Sequence, residues 1–345
     1  MTGSVTDVAG ILVGHHHRCD GDATVCSEEQ PGTGWASGTT VVIAPAGTVG
    51  AVDVRGGAPG SRETESLEAS NTVRHVDAVV LTGGSAYGLA AADGVMTWLE
   101  ERGRGVAMTG GVVPIVPAAV IFDLPVGAWA NRPTAEFGYA AAAAAAAGVD
   151  VAVGCVGAGV GARAGVLKGG VGTASTVLDC GVTVGAIVVV NAAGEVFDPA
   201  TGLPWMSDLA AEFGLRAPSA SRLREYAGRH RESSPLNTTI AVVATDAALS
   251  KAACHRVAVA AQDGLARAIR PAHTPLDGDT VFALATGAVR VPPDPDTPAA
   301  MSPETRLTTA VGAAAADCLA RAVVAGVLAA EPVAGIPSHR DLLGR

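Results

Sequence analysis

Asn237-Thr238-Thr239-Ile240-Ala241-Val242-Val243-Ala244-Thr245-Asp246 joins a polar stretch to an abrupt apolar run, with a threonine at the junction. The run is β-branched and apolar and reads as a strand. Within an unbroken chain Thr238 is an ordinary strand-entry residue after an Asn-containing turn. With the Asn237–Thr238 bond broken it becomes an N-terminal residue, its hydroxyl a nucleophile and its own amine the base. The polar segment before it resembles an exposed loop, where chains are commonly cut.

Working outward, residues 182–190, 78–82, 39–44, 50–54 and 281–285 also read as strands, and so does 151–156. Pro45-Ala46-Gly47 between 39–44 and 50–54 predicts a hairpin. Residues 86–102 carry apolar side chains at helical spacing, with Ser85 as the expected N-cap. The eight alanines of 140–147 are strong helix formers, and 249–269 and 308–330 complete the long helices. Strands and helices in blocks suit a layered α+β sandwich better than strict βαβ alternation.

Composition limits the function. Of 345 residues, 49% are apolar and only 3% aromatic, so the core is built from Ala, Val, Leu and Ile. A formal net charge of -10 disfavours nucleic acid and anionic membranes as partners. Six scattered cysteines form no CxxC pair, which suits reduced thiols and a cytoplasmic protein. No signal peptide is apparent, and the span 137–162, charged only at Asp150, is Ala and Gly broken repeatedly, a buried helix plus strand and not a membrane span.

Several segments carry possible chemistry. Gly83-Gly84-Ser85 has the wrong spacing for a hydrolase elbow or a P-loop, yet follows a strand and opens a helix. The Arg55–Glu65 segment, with its Gly-Gly-Ala-Pro-Gly path, is either a salt-bridged loop or an active-site rim. The Gly-rich run 157–172 lacks the partners of a dinucleotide site. His15, His16 and His17 alternate along a strand and cannot converge on one metal. Asp277-Gly278-Asp279 places two carboxylates on one side of an extended segment, where each raises the other's pKa; a surface turn is the plain alternative. Neither a metal nor a cofactor is indicated.

Together these segments resemble the self-processing DmpA-type L-aminopeptidase/D-amidase-esterase family (peptidase family S58), which includes β-peptidyl aminopeptidases and nylon-oligomer hydrolases. The resemblance rests on Arg55-Gly-Gly-Ala-Pro-Gly-Ser-Arg-Glu-Thr64, Leu81-Thr-Gly-Gly-Ser-Ala-Tyr-Gly-Leu89, Pro114-Ile-Val-Pro117, Val156-Gly-Ala-Gly159, Lys168-Gly-Gly-Val-Gly-Thr173 and Asn237-Thr-Thr-Ile240. It implies a single four-layer αββα sandwich of the N-terminal-nucleophile-hydrolase type. It also implies self-cleavage into an α chain (1–237) and a β chain (238–345), and a homo-oligomer, tetrameric or larger. By the same resemblance Thr238 is the nucleophile, Asn191 the oxyanion donor and Tyr139 a site tyrosine. Lys168, Asp277 and Asp279 match the nylon-oligomer branch, whereas DmpA-type members carry Ser and Glu at the acidic pair and Ser as nucleophile. The implied reaction is hydrolysis of N-terminal aminoacyl amides of small peptides through an acyl-Thr238 intermediate. An ω-amino-acid amide hydrolase, an ornithine/glutamate-type acyl transferase that also cleaves before a Thr, and a processed but idle binding protein are the alternatives.

Overall fold

The computed structural model describes residues 3–229 and 237–344. The first half of the chain forms β1 (Leu12–Cys19), β2 (Ala36–Ile43), β3 (Val49–Val54), β4 (Ser61–Arg62) and β5 (Ala78–Thr82). Helices α1 (Ser85–Gly88) and α2 (Ala91–Glu100), strands β6 (Val106–Met108), β7 (Gly111–Val113) and β8 (Ala118–Val120), and helix α3 (Ala135–Ala146) follow. Next come β9 (Arg163–Ala164), β10 (Leu167–Lys168), β11 (Gly170–Val177), β12 (Thr183–Val190), α4 (Ser207–Glu212) and α5 (Ala220–Arg229). The last third holds β13 (Ile240–Ala247), α6 (Lys251–Ala268), β14 (Thr280–Val289), α7 (Thr305–Ala329) and α8 (His339–Leu342).

Two five-stranded sheets carry the fold, ordered β1-β2-β5-β8-β4 and β11-β12-β13-β14-β3. Alternation along each strand shows how they stack. Val42, Val79 and Leu81 of the first sheet meet Ile187, Ile240, Val242, Phe282 and Leu284 of the second in one buried cluster. The intervening residues Val41, Ile43, Ala78 and Val80 turn outward onto α2 and α3. Ala186, Val188, Ala241, Val243, Val281 and Ala283 turn the other way onto α6 and α7. The result is helix, sheet, sheet, helix. Both sheets are covered on both faces, which is why these strands read as continuous apolar runs. Each buried Val, Leu, Ile or Phe contributes roughly 1.5–3 kcal/mol. Helix α7 is long and apolar enough by composition to cross a membrane; here its apolar face covers the second sheet.

Three expectations fail. Segments 39–44 and 50–54 do not form a hairpin: β2 pairs with β1 and β5, while β3 pairs with β14 in the other sheet. The Pro45 turn, closed by Thr48 Oγ1 donating to Pro45 O at 2.7 Å, carries the chain between layers instead. Residues 151–156 form no strand, only a bridge from Gly154 to Val171. Ser85 does not cap its helix; Gly84 holds that position and Ser85 sits inside with φ of +52°. The segment 230–236, expected as an exposed loop, and the end of the mixed-charge patch 222–232 lie outside the described residues.

Helices α2 and α3 pack unusually close because each presents a glycine to the other. A Cβ on Gly94 would strike the Ala135 carbonyl, and one on Gly138 the Ala91 carbonyl. Gly138→Ala should therefore destabilise the protein by about 1–3 kcal/mol in urea unfolding, although alanine is the better helix former. An unchanged or raised midpoint would show that the helices separate at no cost.

Candidate active site

Register brings the site together. β13 runs antiparallel to β12 with Ile240 opposite Val189, and parallel to β14 with Ile240 opposite Thr280. The residues just before β13, just after β12 and just before β14 must therefore meet at one end of the sheet. These are Thr238, Asn191 and Asp279. β3 ends at the same edge with Val54 opposite Thr280. In the first sheet Thr82 lies beside Val120, and the turns after them face the same cleft.

That cleft is about 260 Å³, lined by Ala58, Pro59, Gly60, Ser85, Ala86, Val120, Phe122, Asn237, Thr238 and Leu276. The Arg55–Glu65 loop thus lines the cavity, and it is salt-bridged as well, through Arg55 to Asp53 and Arg62 to Asp93. Gly56 lies where a Cβ would strike the Asp277 carbonyl, so the loop packs directly on the acidic segment.

Thr238 is buried. Its Oγ1 donates to the Asn237 carbonyl at 2.5 Å and accepts from Gly278 N at 3.1 Å. Its backbone N donates to Asn191 O at 2.5 Å. The Thr238 hydroxyl therefore sits against the carbonyl group of the bond that precedes it. Asn191 is oriented by Arg163 N, which donates to Oδ1 at 2.9 Å. Nδ2 consequently faces the cleft side, where it donates to Phe122 O at 3.3 Å.

The acidic pair is buried, not a surface turn: Asp277 is 1% exposed and Asp279 2%. Neither carboxylate touches Thr238 Oγ1; Gly278 between them does. Asp279 Oδ1 accepts from Thr239 N at 2.8 Å, and Asp277 Oδ2 accepts from Thr274 N at 2.9 Å. Burial, followed by the neighbouring Asp279 charge, raises the Asp277 carboxyl above its ordinary value.

Two expected residues make their hydrogen bonds elsewhere than to Thr238. Tyr139 lies on α3 in the outer helix layer, and its hydroxyl donates to Glu101 Oε2 at 2.8 Å. Lys168 is fully buried, and its Nζ donates to the carbonyls of Gly159, Ala162 and Gly169 at 2.7–3.0 Å. Burial lowers its pKa to about 8, against the opposing influence of Cys155, Cys19 and Asp123. By tying down 159–162 it fixes the segment whose next residue, Arg163, orients Asn191.

Sequence reasoning missed Phe122, Leu276, His273 and Asp123. Asp123 is a lone carboxylate in an apolar run, and that interruption was the available signal. Its Oδ1 accepts from Gly84 N at 2.6 Å and its Oδ2 from Ser37 Oγ at 2.7 Å, which anchors the turn carrying Ser85.

A hydroxyl at the start of a central strand, facing its own preceding carbonyl within an αββα sandwich, defines the N-terminal-nucleophile class of amide hydrolase. The chain belongs to peptidase family S58, whose profile matches residues 3–340. It is a hydrolase of peptide or amide bonds, an aminopeptidase/amidase on the Ntn-hydrolase fold. An uncharacterized aminopeptidase of Mycobacterium tuberculosis is 69% identical over 343 residues, 98% of this chain and 97% of the relative. A 6-aminohexanoate-oligomer endohydrolase of Paenarthrobacter ureafaciens is 32% identical over 337 residues, covering 92% and 84%. Among solved structures, a Burkholderia sp. beta-aminopeptidase superposes with TM-score 0.69 at 25% identity over 99% of this chain and 91% of that one. The L-aminopeptidase D-Ala-esterase/amidase of Ochrobactrum anthropi superposes with TM-score 0.62 at 24% identity over 96% and 88%.

Burial pushes the Asp123 carboxyl up to about 6, and its two hydrogen bonds offset this only in part. The folded value lies above the unfolded one, so the native state holds an extra proton between the two. That contribution to stability is fully present below about pH 4 and is lost as pH rises through about 6. Asp123→Asn removes the titration. From about pH 4 to about pH 7 the wild type should therefore lose about 2 kcal/mol relative to the variant in urea unfolding. Parallel stability curves for the two proteins would refute this.

Proposed function

We propose that the protein cleaves itself between Asn237 and Thr238 and then hydrolyses short aminoacyl amides with Thr238 as nucleophile. The observation that carries this reading is the 2.5 Å contact from Thr238 Oγ1 to the Asn237 carbonyl, with Gly278 N bonded to the same oxygen.

In self-cleavage Oγ attacks the Asn237 carbonyl carbon. Its proton passes to the scissile nitrogen, the C–N bond breaks, and an ester joins Asn237 to Thr238 Oγ. Water hydrolyses that ester, leaving a carboxylate on Asn237 and a free amine on Thr238. An N-terminal amine has a pKa near about 8 and accepts a proton close to neutral pH. In turnover the substrate carbonyl takes the place of Asn237, the amine product leaves, and water hydrolyses the acyl-Thr238 ester. Asn191 Nδ2 donates to the oxyanion in each step. Asp279 holds the Thr239 backbone N–H, the Asp277 and Asp279 carboxylates take the new ammonium, and Lys168 acts by fixing the segment beside Asn191. The cleft volume suits a small amide or short peptide. The relation to both aminopeptidases and 6-aminohexanoate-oligomer hydrolases places α- and ω-aminoacyl amides together in the test panel.

The same reading makes the protein a cytoplasmic homo-oligomer. The β6–β7 hairpin supports association, since Val106, Met108 and Val113 are exposed together on it. Light scattering should give at least twice the mass of one chain pair; the mass of a single pair would remove this part of the proposal.

Intact mass spectrometry of wild-type protein should show two chains divided at Thr238. Thr238→Ala should show one, with no hydrolysis of aminoacyl p-nitroanilides. Activity in the alanine variant would move the nucleophile elsewhere, Ser85 being next in the cleft. In protein already cleaved, Asp277→Asn and Asp279→Asn should each lower kcat by about 10²–10⁴-fold, whereas near-wild-type turnover in both would return the pair to a structural role.

A further inference from the structure

His273 stands outside every assignment made above, yet it is bonded directly to Asp279 of the acidic pair. Among the described residues it is one of four non-glycine residues with positive φ, at +57°. A non-glycine residue held in this region is strained and persists only where its surroundings enforce it. What enforces it here is visible. The His273 backbone N and ring Nδ1 both bond Asp279 Oδ2, each at 2.9 Å. A single residue thus grips one carboxylate oxygen from two sides.

The other oxygen of Asp279 accepts from Thr239 N at 2.8 Å. Asp279 is therefore a bridge between the left-handed turn at His273 and the peptide unit directly after the nucleophile. Both ends are sheltered: the His273 side chain is 17% exposed and that of Asp279 3%. A carboxylate only accepts, so Nδ1 carries the proton. Among the described residues the buried Nε2 has no partner, so the ring is held by this bond and by packing alone.

Resting on the proposed self-cleaving reading, we infer that His273 is a positioning residue for Thr238: through Asp279 it fixes the Thr239 peptide and so aims Thr238 Oγ1. It touches neither substrate nor reacting atoms. The competing account is that His273 merely tolerates a tight turn. The two accounts separate because the strain and the ring bond can be removed independently. Glycine relieves the backbone and keeps its N–H but has no ring donor. Asparagine tolerates left-handed φ and retains a side-chain N–H donor.

The experiment follows self-cleavage by intact mass and steady-state amide hydrolysis in full-length wild type, His273→Gly and His273→Asn. His273→Gly should match or exceed wild type in thermal midpoint, yet self-cleave and turn over roughly 10–100-fold more slowly. That is the range for losing one charge-assisted bond that aligns a reacting group. Its KM should stay within about twofold of the wild-type value, since the defect lies in alignment and not in binding. His273→Asn should recover most of the rate. Wild-type rates in the glycine variant, or an asparagine variant as slow as glycine, overturn the inference. Should the glycine variant not fold, His273→Asp replaces it, having asparagine's shape without its donor; equal rates for Asn and Asp then overturn it. A wild-type protein that neither cleaves nor hydrolyses overturns the reading of the whole site and this inference with it.

Discussion

Burial of β13 on both faces is the constraint on which the site depends. Ile240, Val242 and Ala244 pack into the layer between the sheets, and Ala241 and Val243 pack under the outer helices. A slip of one residue would exchange these two sets and also break the ladders to β12 and β14. With the register pinned from both sides, Thr238 has one place to be. No loop has to search for the catalytic geometry. It is set by where a strand begins, and strand ends are more sharply placed than loop tips.

The layers were legible because their code is simple. Continuous Val and Ala runs mark strands covered twice, and the long helices announced themselves by spacing and by alanine. The hairpin expected across Pro45 was misread because a tight turn says only that the chain reverses, not which sheet receives the next strand. That choice belongs to β14, which lies far along the sequence and pairs with β3. Residues 151–156 look like a strand by composition, but Val149 and Val153 are exposed, and only Gly154 reaches a ladder.

The site was legible in a different measure. Thr238 stood out by its position at a polar–apolar junction, and the D-x-D spacing drew attention to Asp277 and Asp279. What spacing missed is that the backbone of Gly278 contacts the hydroxyl while the carboxylates brace its flanks. Lys168 and Tyr139 were assigned to the site by resemblance alone, and no local pattern argued for or against it. Lys168 lies among backbone carbonyls, a setting that depends on a Gly-rich segment folding back over it. Asp123 and His273 had no legible spacing, because each acts through partners remote in sequence or through a backbone angle.

The order of strands in the second sheet has a consequence for the lifetime of the molecule. β13 and β14 lie between β12 on one side and β3 on the other, so the piece after Thr238 is interleaved with the piece before it. The proposed cut before Thr238 would leave the interleaved ladders and both cores in place. It does change the unfolded state from one molecule to two. Before the cut, the two pieces find each other at the high effective concentration of a tether. After it, reassembly is a second-order search between chains that each lack half a sheet. Under the proposed self-cleavage the precursor would be a reversible folder and its product would not, so the severed protein would endure by the slowness of its unfolding and not by its ability to fold again.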